Sequence, residues 1–323
     1  MDTVKIGIIG TGWIAEKMAI TLEGMEGVEA YAVSSRQLQT ARDFADRWGF
    51  TRAYGSYEEM LDDEEVELVY IATPHSHHFE HARMSLLKGK AVLCEKAFTA
   101  NARQAEELLN LAKEKELFIT EAIWTRYMPL SQTINDLVNG GIIGRPMTLS
   151  ANLGYPIGNR ERLRQPALAG GALLDLGVNF ASMVFGTDVE RVTSTCVKTD
   201  TGVDAQNSIT LTFKDGKIAV LHSSMLSMSD RQGIISGDKG HLIIENINNP
   251  QRIRVVTEDY KTVVVYNCPP QITGYEYQVY ASMEALRNGW LESPYMPHTE
   301  TLRIMRMMDD LRREWGVRYP ADE

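Results

Sequence analysis

A glycine-rich turn near the start of the chain constrains the fold more than any other feature. It separates an apolar, strand-like run at 4–9 from an amphipathic segment that extends to residue 23. The residues of the turn are Gly10, Thr11, Gly12, Trp13, Ile14 and Ala15. In a strand–turn–helix setting the first glycine permits a tight turn, the second admits a pyrophosphate to the backbone, and the small third residue lets helix and strand pack closely. We therefore predict a dinucleotide site at Gly10, Thr11, Gly12, Trp13 and Ile14.

The first 122 residues alternate short apolar runs with amphipathic segments, a pattern typical of βαβ units. We predict strands at 4–9, 30–33, 68–72, 91–94 and 117–121, and helices at 12–23, 38–48, 77–88 and 101–115. Parallel strands that are joined by helices through right-handed crossovers form a Rossmann-type, doubly wound parallel sheet.

From residue 123 onward, strand-like runs follow one another and are separated by short turns. We predict strands at 148–153, 192–198, 208–213, 218–222, 233–236, 242–245, 253–257 and 262–266, with helices at 171–185, 275–287 and 300–315. This order indicates a C-terminal α+β domain with a large open, mostly antiparallel sheet. We therefore expect a dinucleotide-binding domain at 1–122 and a substrate-binding and oligomerisation domain at 123–323.

Charge and cysteine content exclude several classes of protein. The 323 residues carry a formal charge of -10, which argues against general binding to nucleic acid, because an acidic surface repels the phosphate backbone. The three cysteines, Cys94, Cys196 and Cys268, are far apart and odd in number, so we expect a reducing, cytoplasmic location. No uninterrupted apolar stretch reaches the ~18 residues of a membrane span, so we expect no membrane partner.

The end of the second predicted strand bears on the choice of cofactor. It lacks the acidic residue that would bind the adenosine ribose hydroxyls of NAD. It continues instead into Ser34, Ser35 and Arg36, which offer two hydroxyls and a guanidinium suited to a 2′-phosphate. The sequence thus favours NADP over NAD, with these three residues as cofactor contacts. The alternative interpretation is a capping pair of serines followed by a solvent-facing arginine.

Three motifs in order extend the argument beyond the glycine turn. They are Ala72-Thr73-Pro74-His75-Ser76-His77-His78, Val92-Leu93-Cys94-Glu95-Lys96, and Gly170-Gly171-Ala172-Leu173-Leu174-Asp175-Leu176-Gly177. Together they resemble the Gfo/Idh/MocA oxidoreductases over nearly the whole chain. The run from Glu121 to Pro129 and the run from Tyr295 to Leu302 are most similar to the dihydrodiol dehydrogenase branch. That resemblance implies use of NADP, oxidation of vicinal diols or sugars, and dimers formed through the open sheet.

The resemblance assigns Lys96 to catalysis and Glu95 to the nicotinamide side of the cofactor. Both residues follow a predicted strand, and ligands of open α/β sheets bind beyond the carboxyl ends of the strands. A lysine can accept a proton from an alcohol when burial or a nearby oxidised nicotinamide lowers its pKa. Alanine at residue 97 replaces the family's proline, which removes a rigid turn former but no chemistry.

Further cofactor contacts follow from the resemblance. It places Thr73, Pro74 and His75 against the nicotinamide half, and we add His78 to this set. It also places Trp124 and Arg126 in the active site, where the alternative is hinge packing.

The first of the three motifs, from Ala72 to His78, contains a cluster of histidines that continues to His81. His77 and His81 are spaced so that they could hold a metal, but no further cysteine or histidine spacing completes such a site. We therefore expect no metal, and we interpret the cluster as helix capping and cofactor contact.

Asp175 and Asn179 lie four residues apart on a predicted helix and so share one face. In the family the second position is a titratable histidine or tyrosine, whereas asparagine can orient a hydroxyl but cannot exchange a proton. Three interpretations stay open: Lys96 alone does the acid–base work while Asp175 and Asn179 position substrate, Tyr155 fills the gap, or activity is lost. We favour the first.

The expected function is transfer of hydride between NADP(H) and a hydroxyl or ketone carbon of a small polyol, sugar or cyclic trans-diol. One alternative is a catalytically silent dinucleotide-binding sensor, which Asn179 would suit. The other is an NAD-dependent sugar or inositol dehydrogenase. An open sheet needs its exposed face covered, so we expect a homodimer or homotetramer.

Overall fold

The computed structural model describes residues 3–176 and 184–323 of the chain. It confirms the predicted fold class, a parallel Rossmann-type sheet followed by a larger, mostly antiparallel sheet. Contacts within the chain divide it into two compact units, which are described separately below. Unit 1 comprises Met1–Trp124 and Gln271–Arg306, and unit 2 comprises Thr125–Pro270 and Met307–Glu323.

Unit 1 contains a six-stranded parallel sheet. Its strands are β1 (Val4–Ile9), β2 (Val28–Ser34), β3 (Arg52–Tyr54), β4 (Leu68–Ile71), β5 (Ala91–Glu95) and β6 (Ile119–Ala122). They are arranged in the order β3-β2-β1-β4-β5-β6, so the chain reverses its direction of winding between β1 and β4. Both faces of the sheet are covered, and β4 and β5 are buried along their whole length. The near-continuous apolar runs of the sequence reflect this burial.

Five helices of unit 1 alternate with its strands. They are α1 (Trp13–Glu23), α2 (Leu38–Trp48), α3 (Tyr57–Leu61), α4 (His75–Leu87) and α5 (Ala102–Lys115). Two side chains cap helix starts, because Ser56 accepts a hydrogen bond from the Glu59 amide and Asn101 accepts one from the Gln104 amide.

A later segment of the chain joins the core of unit 1. This segment contains helix α9 (Glu276–Asn288). Its apolar face, which includes Val279 and Met283, is buried in the same hydrophobic cluster as Ile6 and Ile8 of β1. The compact unit therefore extends beyond a continuous stretch of sequence, because burial of this face ties the segment to the parallel sheet.

Unit 2 contains an eight-stranded sheet. Its strands are β7 (Pro146–Gly154), β8 (Val189–Lys198), β9 (Asp204–Phe213), β10 (Ile218–Ser224), β11 (Gly233–Gly237), β12 (Gly240–Glu245), β13 (Arg252–Thr257) and β14 (Thr262–Asn267). Their order is β14-β13-β12-β11-β7-β10-β9-β8. Neighbouring strands are antiparallel except β7 and β10, which are parallel. Along β9, Ile209, Leu211 and Phe213 are buried whereas the residues between them are half-buried, so one face of the sheet carries the core.

Three helices of unit 2 lie before β8: α6 (Pro129–Asn139), α7 (Glu161–Arg164) and α8 (Ala172–Leu176). The last helix, α10 (His298–Trp315), contains the boundary between the two units. No helix of the described ranges is both long enough and apolar enough to cross a lipid bilayer. The local sequence patterns predicted none of β3, α3, α6 and α7; three of these are five residues or shorter, and α6 begins at a proline.

Candidate active site

The carboxyl ends of four neighbouring strands meet at one edge of the parallel sheet. Register pairs Ile9 with Ile71, Ile71 with Cys94, and Cys94 with Glu121. The segments that follow β1, β4, β5 and β6 therefore leave the sheet at the same edge. This edge includes the point between β1 and β4 where the strand order reverses, which is where α/β sheets bind their ligands.

The glycine turn follows β1 at this reversal point. Gly10 has a φ of +106°, and a Cβ there would lie 3.0 Å from the carbonyl oxygen of Ala72, so any larger residue would be strained. At Gly12 a Cβ would meet no protein atom within 4 Å, which leaves open space beside the start of α1. Gly12 offers no side-chain acceptor to the first-turn amides, so these donors can bind a pyrophosphate. The turn thus fits a dinucleotide.

The remaining residues of the turn form its open side. Thr11 and Ile14 are half-buried, and Trp13 is 57% exposed with the Lys17 ammonium 5.8 Å from the centroid of its ring.

The three residues that were predicted to contact the 2′-phosphate differ in burial at the end of β2. Ser34 is fully buried, and its hydroxyl donates to the carbonyl oxygen of Ile8 at 3.3 Å, so it is occupied inside the sheet. Ser35 is half-buried and Arg36 is exposed beyond the strand end. Burial has the largest effect on two side chains near Arg36: it raises the pKa of Tyr57 and lowers that of His81. The charge of Arg36 is close enough to lower the pKa of both. The guanidinium is therefore on the ligand side of the sheet edge.

Glu95 and Lys96 are held at the end of β5. Glu95 is 6% exposed, and the Tyr70 hydroxyl donates to its Oε1 at 2.5 Å. Burial, together with the charge of Glu95, raises the pKa of Tyr70 well above its ordinary value, so the phenol stays protonated and remains a donor. The Lys96 amide donates to Glu95 Oε2 at 3.3 Å, and the peptide that follows Lys96 is cis. The carboxylate thus fixes the backbone from which Lys96 projects.

His78 connects the segments that follow β4 and β5. Its Nε2 lies 2.8 Å from the carbonyl oxygen of Thr73, and its Nδ1 lies 2.8 Å from the carbonyl oxygen of Ala97. On the other side, Glu121 of β6 accepts a hydrogen bond from the Phe98 amide at 3.0 Å. The loop that carries Lys96 is therefore anchored to helix α4 on one side and to strand β6 on the other.

The other histidines pack around the start of α4, which Pro74 precedes. His75 is buried with its ring 5.7 Å from that of His78, and His81 Nδ1 lies 3.0 Å from the Thr73 hydroxyl. Burial, helped by His77, His78 and Arg36, lowers the pKa of His81 to about 4, so its ring is neutral at physiological pH. Across residues 3–176 and 184–323, no three or more His, Cys, Asp or Glu side chains are grouped so that they could hold a metal ion.

Trp124 and Arg126 follow β6. The indole of Trp124 stacks on Tyr275, with ring centroids 4.2 Å apart and planes inclined by 7°. Arg126 is half-buried in a short 3₁₀ helix, Trp124–Tyr127. The stack shows that Trp124 contributes to packing within unit 1, and its role toward cofactor stays a prediction.

Helix α8 of unit 2 contains the backbone of Asp175. Asn179 lies outside the described residues. The start of α8 is bound by Asp204 of β9, whose Oδ2 accepts a hydrogen bond from the Leu173 amide at 2.7 Å. Tyr155 lies just after β7, where its hydroxyl accepts hydrogen bonds from Arg231 at 3.4 Å and Asn248 at 3.2 Å.

Three supporting residues were missed by sequence reasoning, namely Tyr70, Glu121 and Asp204. Tyr70 and Asp204 are polar side chains between apolar neighbours in their strands, and Glu121 is a charged residue in a buried strand; these patterns were the signal available. The partner in each case comes from another element, so the sequence alone did not connect them.

Two family models match most of the chain. Residues 4–122 match the one described as "Oxidoreductase family, NAD-binding Rossmann fold", and residues 131–243 match the GFO/IDH/MocA C-terminal domain. These two ranges fall on the two sheets, and they confirm the family resemblance seen in the motifs.

Individual proteins are similar over nearly their whole length. The chain is 33% identical to a trans-1,2-dihydrobenzene-1,2-diol dehydrogenase from Xenopus laevis, with 98% of this chain and 99% of that protein covered. It is 34% identical to a D-xylose 1-dehydrogenase (NADP(+)) from Hypocrea jecorina, with 98% and 93% covered. A crystal structure of a 3-ketoreductase from Actinomadura kijaniata with NADP and TDP-benzene superposes with a TM-score of 0.87 at 25% identity, covering 97% and 98% of the two chains.

Proposed function

The chain belongs to the Gfo/Idh/MocA oxidoreductase family, and we propose that it transfers hydride between NADP(H) and a hydroxyl or ketone carbon of a small polyol, sugar or cyclic trans-diol. One observation carries this proposal: the glycine turn and Lys96 leave the same edge of the parallel sheet. A dinucleotide bound at the turn and a proton-transfer group thus share one site. Relatives named as a dihydrodiol dehydrogenase and an NADP-dependent xylose dehydrogenase act on substrates of this class.

Within this site the cofactor contacts divide by location. We assign the pyrophosphate to the turn of Gly10, Thr11 and Gly12, with Trp13 and Ile14 at the start of α1. Ser35 and Arg36 contact the adenosine 2′-phosphate. The nicotinamide half contacts residues of the β4, β5 and β6 edges: Thr73, Pro74, His75, His78, Glu95, Trp124 and Arg126. When bound, the cofactor supplies or accepts the hydride.

Lys96 moves the proton that accompanies hydride transfer. Glu95, which is itself bonded to Tyr70, accepts a hydrogen bond from the Lys96 amide and so holds the Lys96 backbone. His78 contacts the carbonyl oxygen of Ala97, the residue that follows. An ammonium can donate a proton to the oxygen of a ketone, and the neutral amine can accept one from an alcohol. Asp175 orients the substrate, and Asn179 contributes a hydrogen bond to a substrate hydroxyl.

The test is a survey of turnover with paired cofactors. Purified protein is mixed with NADP+ or NAD+ and with D-xylose, trans-1,2-dihydrobenzene-1,2-diol or a panel of other polyols, and reduced nicotinamide is followed by its absorbance. We expect turnover with NADP+ on at least one diol or sugar, and a much lower kcat/KM with NAD+. Faster turnover with NAD+ would favour an NAD-dependent sugar or inositol dehydrogenase.

A second candidate is a catalytically silent dinucleotide sensor, for which Asn179 is the motivating observation. Tight binding of NADPH without turnover on any polyol, diol or corresponding ketone would favour it. Three contacts that hold the backbone of residues 96–98 support the enzyme instead, because a sensor needs no positioned proton donor.

We also propose a cytoplasmic homodimer or homotetramer that assembles through the eight-stranded sheet. The apolar side chains Val197, Val220 and Val263 of β8, β10 and β14 are exposed, and a second copy would cover them. In this proposal residues 1–122 bind the dinucleotide and residues 123–323 supply substrate contacts and the subunit interface. Light scattering would give the oligomeric state.

A further inference from the structure

Asp204, the first residue of β9, is a fully buried acid that has no role in the proposed chemistry. Its Oδ2 accepts hydrogen bonds from the Leu173 amide at 2.7 Å and from Asn207 Nδ2 at 3.1 Å. Its Oδ1 has no hydrogen-bond partner within the described part of the chain. A buried carboxylate that lacks a partner for one oxygen is costly when ionised, so this arrangement suits the neutral acid.

The contacts of Asp204 fix the start of helix α8. Leu173 is the second residue of that helix, and Gly171 just before it has a φ of +120°. A Cβ at Gly171 would collide with Asp204 Oδ1. From the other side, the Tyr319 hydroxyl donates to the carbonyl oxygen of Gly170 at 2.5 Å. The segment that leads to Asp175 is thus held by β9 and by the last residues of the chain.

We propose that Asp204 is a positioning residue for helix α8 and that its loss of a proton releases this helix, so that rising pH lowers affinity for substrate. This inference rests on the proposed function, because it takes Asp175 as a substrate contact. Asp204 acts through the backbone of α8 and is not itself assigned to touch substrate or cofactor.

The direction of the pH dependence follows from the difference in proton binding between the closed and open segments. Burial raises the pKa of Asp204 from 3.8 to about 7, against the opposing effect of its hydrogen bonds from Leu173 and Asn207. In an opened segment water would reach the carboxyl group, and its pKa would return toward the ordinary value. The closed segment therefore binds the proton more tightly than the open one, and raising the pH through about 7 shifts the population toward the open segment.

The other titratable or charged groups near Asp204 do not change their protonation near pH 7. Burial raises the pKa of Tyr319 far above neutrality, and burial with the charge of Asp204 raises that of Cys196 to about 11. Arg312 lies 4.3 Å from the ring centroid of Tyr319 and is paired with Asp309 and Asp322. Lys198, which is opposite Asp204 in the β8–β9 register, is exposed and donates to the Trp315 carbonyl oxygen. Residues 172–174 carry no titratable side chain.

Hydrogen exchange tests the positioning role without requiring activity. Protection factors of the peptide that covers residues 168–176 are measured at several pH values between about 6 and 8 in wild type, Asp204→Asn and the exposed-site control Asp215→Asn. Asparagine keeps an acceptor for the Leu173 amide but does not titrate. We expect protection to fall with rising pH in wild type and in Asp215→Asn, and to be independent of pH in Asp204→Asn. Equal pH dependence in all three proteins would overturn the proposal.

Tyr319→Phe serves as a second variant in case Asp204→Asn folds poorly. It removes the bond to Gly170 but leaves Asp204 free to titrate, so we expect lower protection at every pH with the wild-type pH dependence retained. A pH-independent protection in Tyr319→Phe would contradict the assignment of the titration to Asp204.

Kinetics with D-xylose and NADP+ test the link to substrate. Over the same pH range we expect KM to rise about threefold or more in wild type relative to Asp204→Asn, while kcat and the Kd for NADPH differ by less than about twofold. An unchanged KM ratio together with altered protection would remove the coupling to substrate. Absence of turnover in wild type on every polyol, diol and sugar of the survey, together with pH-dependent protection, would instead refute the proposed function and leave the positioning role of Asp204 supported.

Discussion

His78 Nδ1 lies 2.8 Å from the carbonyl oxygen of Ala97, the residue after Lys96. Its other ring nitrogen lies 2.8 Å from the carbonyl oxygen of Thr73. The fully buried ring of His78 thus joins the two loops that are assigned to the nicotinamide and to proton transfer.

Replacing His78 should therefore impair catalysis through the position of Lys96. For His78→Ala we expect kcat/KM to fall by about 10- to 100-fold, because a buried carbonyl oxygen that loses its hydrogen-bond partner costs about 1–3 kcal/mol. Steady-state kinetics with NADP+ measure the effect, and His222→Ala on the exposed side of β10 is the control. A variant with wild-type kinetics would show that the loop holds its position without the bridge.

Lys96→Met should abolish turnover while NADPH binding is largely retained. Methionine preserves much of the side-chain length but cannot transfer a proton, so the loss should reach about 10²-fold or more in kcat. Stopped-flow kinetics and NADPH fluorescence titration measure the two properties separately. Lys115→Met, at the exposed end of α5, provides the matched control. Substantial activity in Lys96→Met would remove this residue from the mechanism.

Arg36→Ala should weaken NADPH binding selectively. We expect the Kd for NADPH to rise by about 10- to 100-fold and the Kd for NADH to change by less than about twofold, because only the former carries the 2′-phosphate. Calorimetric titration gives both constants. Arg42→Ala, on the exposed side of α2, should leave both unchanged. Equal NADPH affinity in Arg36→Ala and wild type would return Arg36 to the solvent-facing interpretation.

His81 should contribute to acid sensitivity of the fold. Its pKa is lowered to about 4 in the folded chain from 6.5, so between these values the unfolded chain binds a proton that the folded chain does not. The free energy of unfolding should then decrease as the pH falls from 6.5 toward 4, by at most about 3 kcal/mol.

Urea unfolding of wild type and His81→Gln over this pH range measures that contribution. We expect a shallower dependence on pH in the variant. Asp204 produces the opposite slope, because its raised pKa makes the folded chain hold the extra proton, and the Asp204→Asn variant separates the two effects. Identical slopes in wild type and His81→Gln would show that His81 is not titrated by unfolding.

Local patterns predicted the parts of this fold that depend on neighbouring residues. The 3.6-residue period placed α2 at Leu38–Trp48, and the apolar run placed β1 at Val4–Ile9, both as observed. The three residues of β3 are too few to show a period, and this edge strand is defined by pairing with β2. Similarly, α9 belongs to the core of unit 1 because of tertiary contacts that no local pattern encodes.

In the candidate site, too, the local features were predictable and the tertiary contacts were not. The glycine turn has a strict local geometry and was predictable, whereas the partners of Glu95, Ala97 and Phe98 come from three different elements, β4, α4 and β6. Ser34 shows what the sequence could not predict. A hydroxyl at the end of a strand can face either a ligand or the sheet, and only the fold shows that Ser34 donates to the carbonyl oxygen of Ile8.

Strand β7 has a consequence for the order in which unit 2 can assemble. Strands β8, β9 and β10 form one meander, and β11 to β14 form another, each from pairings close in sequence. β7 precedes both along the chain but lies between them, parallel to β10 and antiparallel to β11. Because contacts between distant segments form more slowly than local ones, the two meanders can form first, and insertion of β7 then sets the folding rate of the whole sheet.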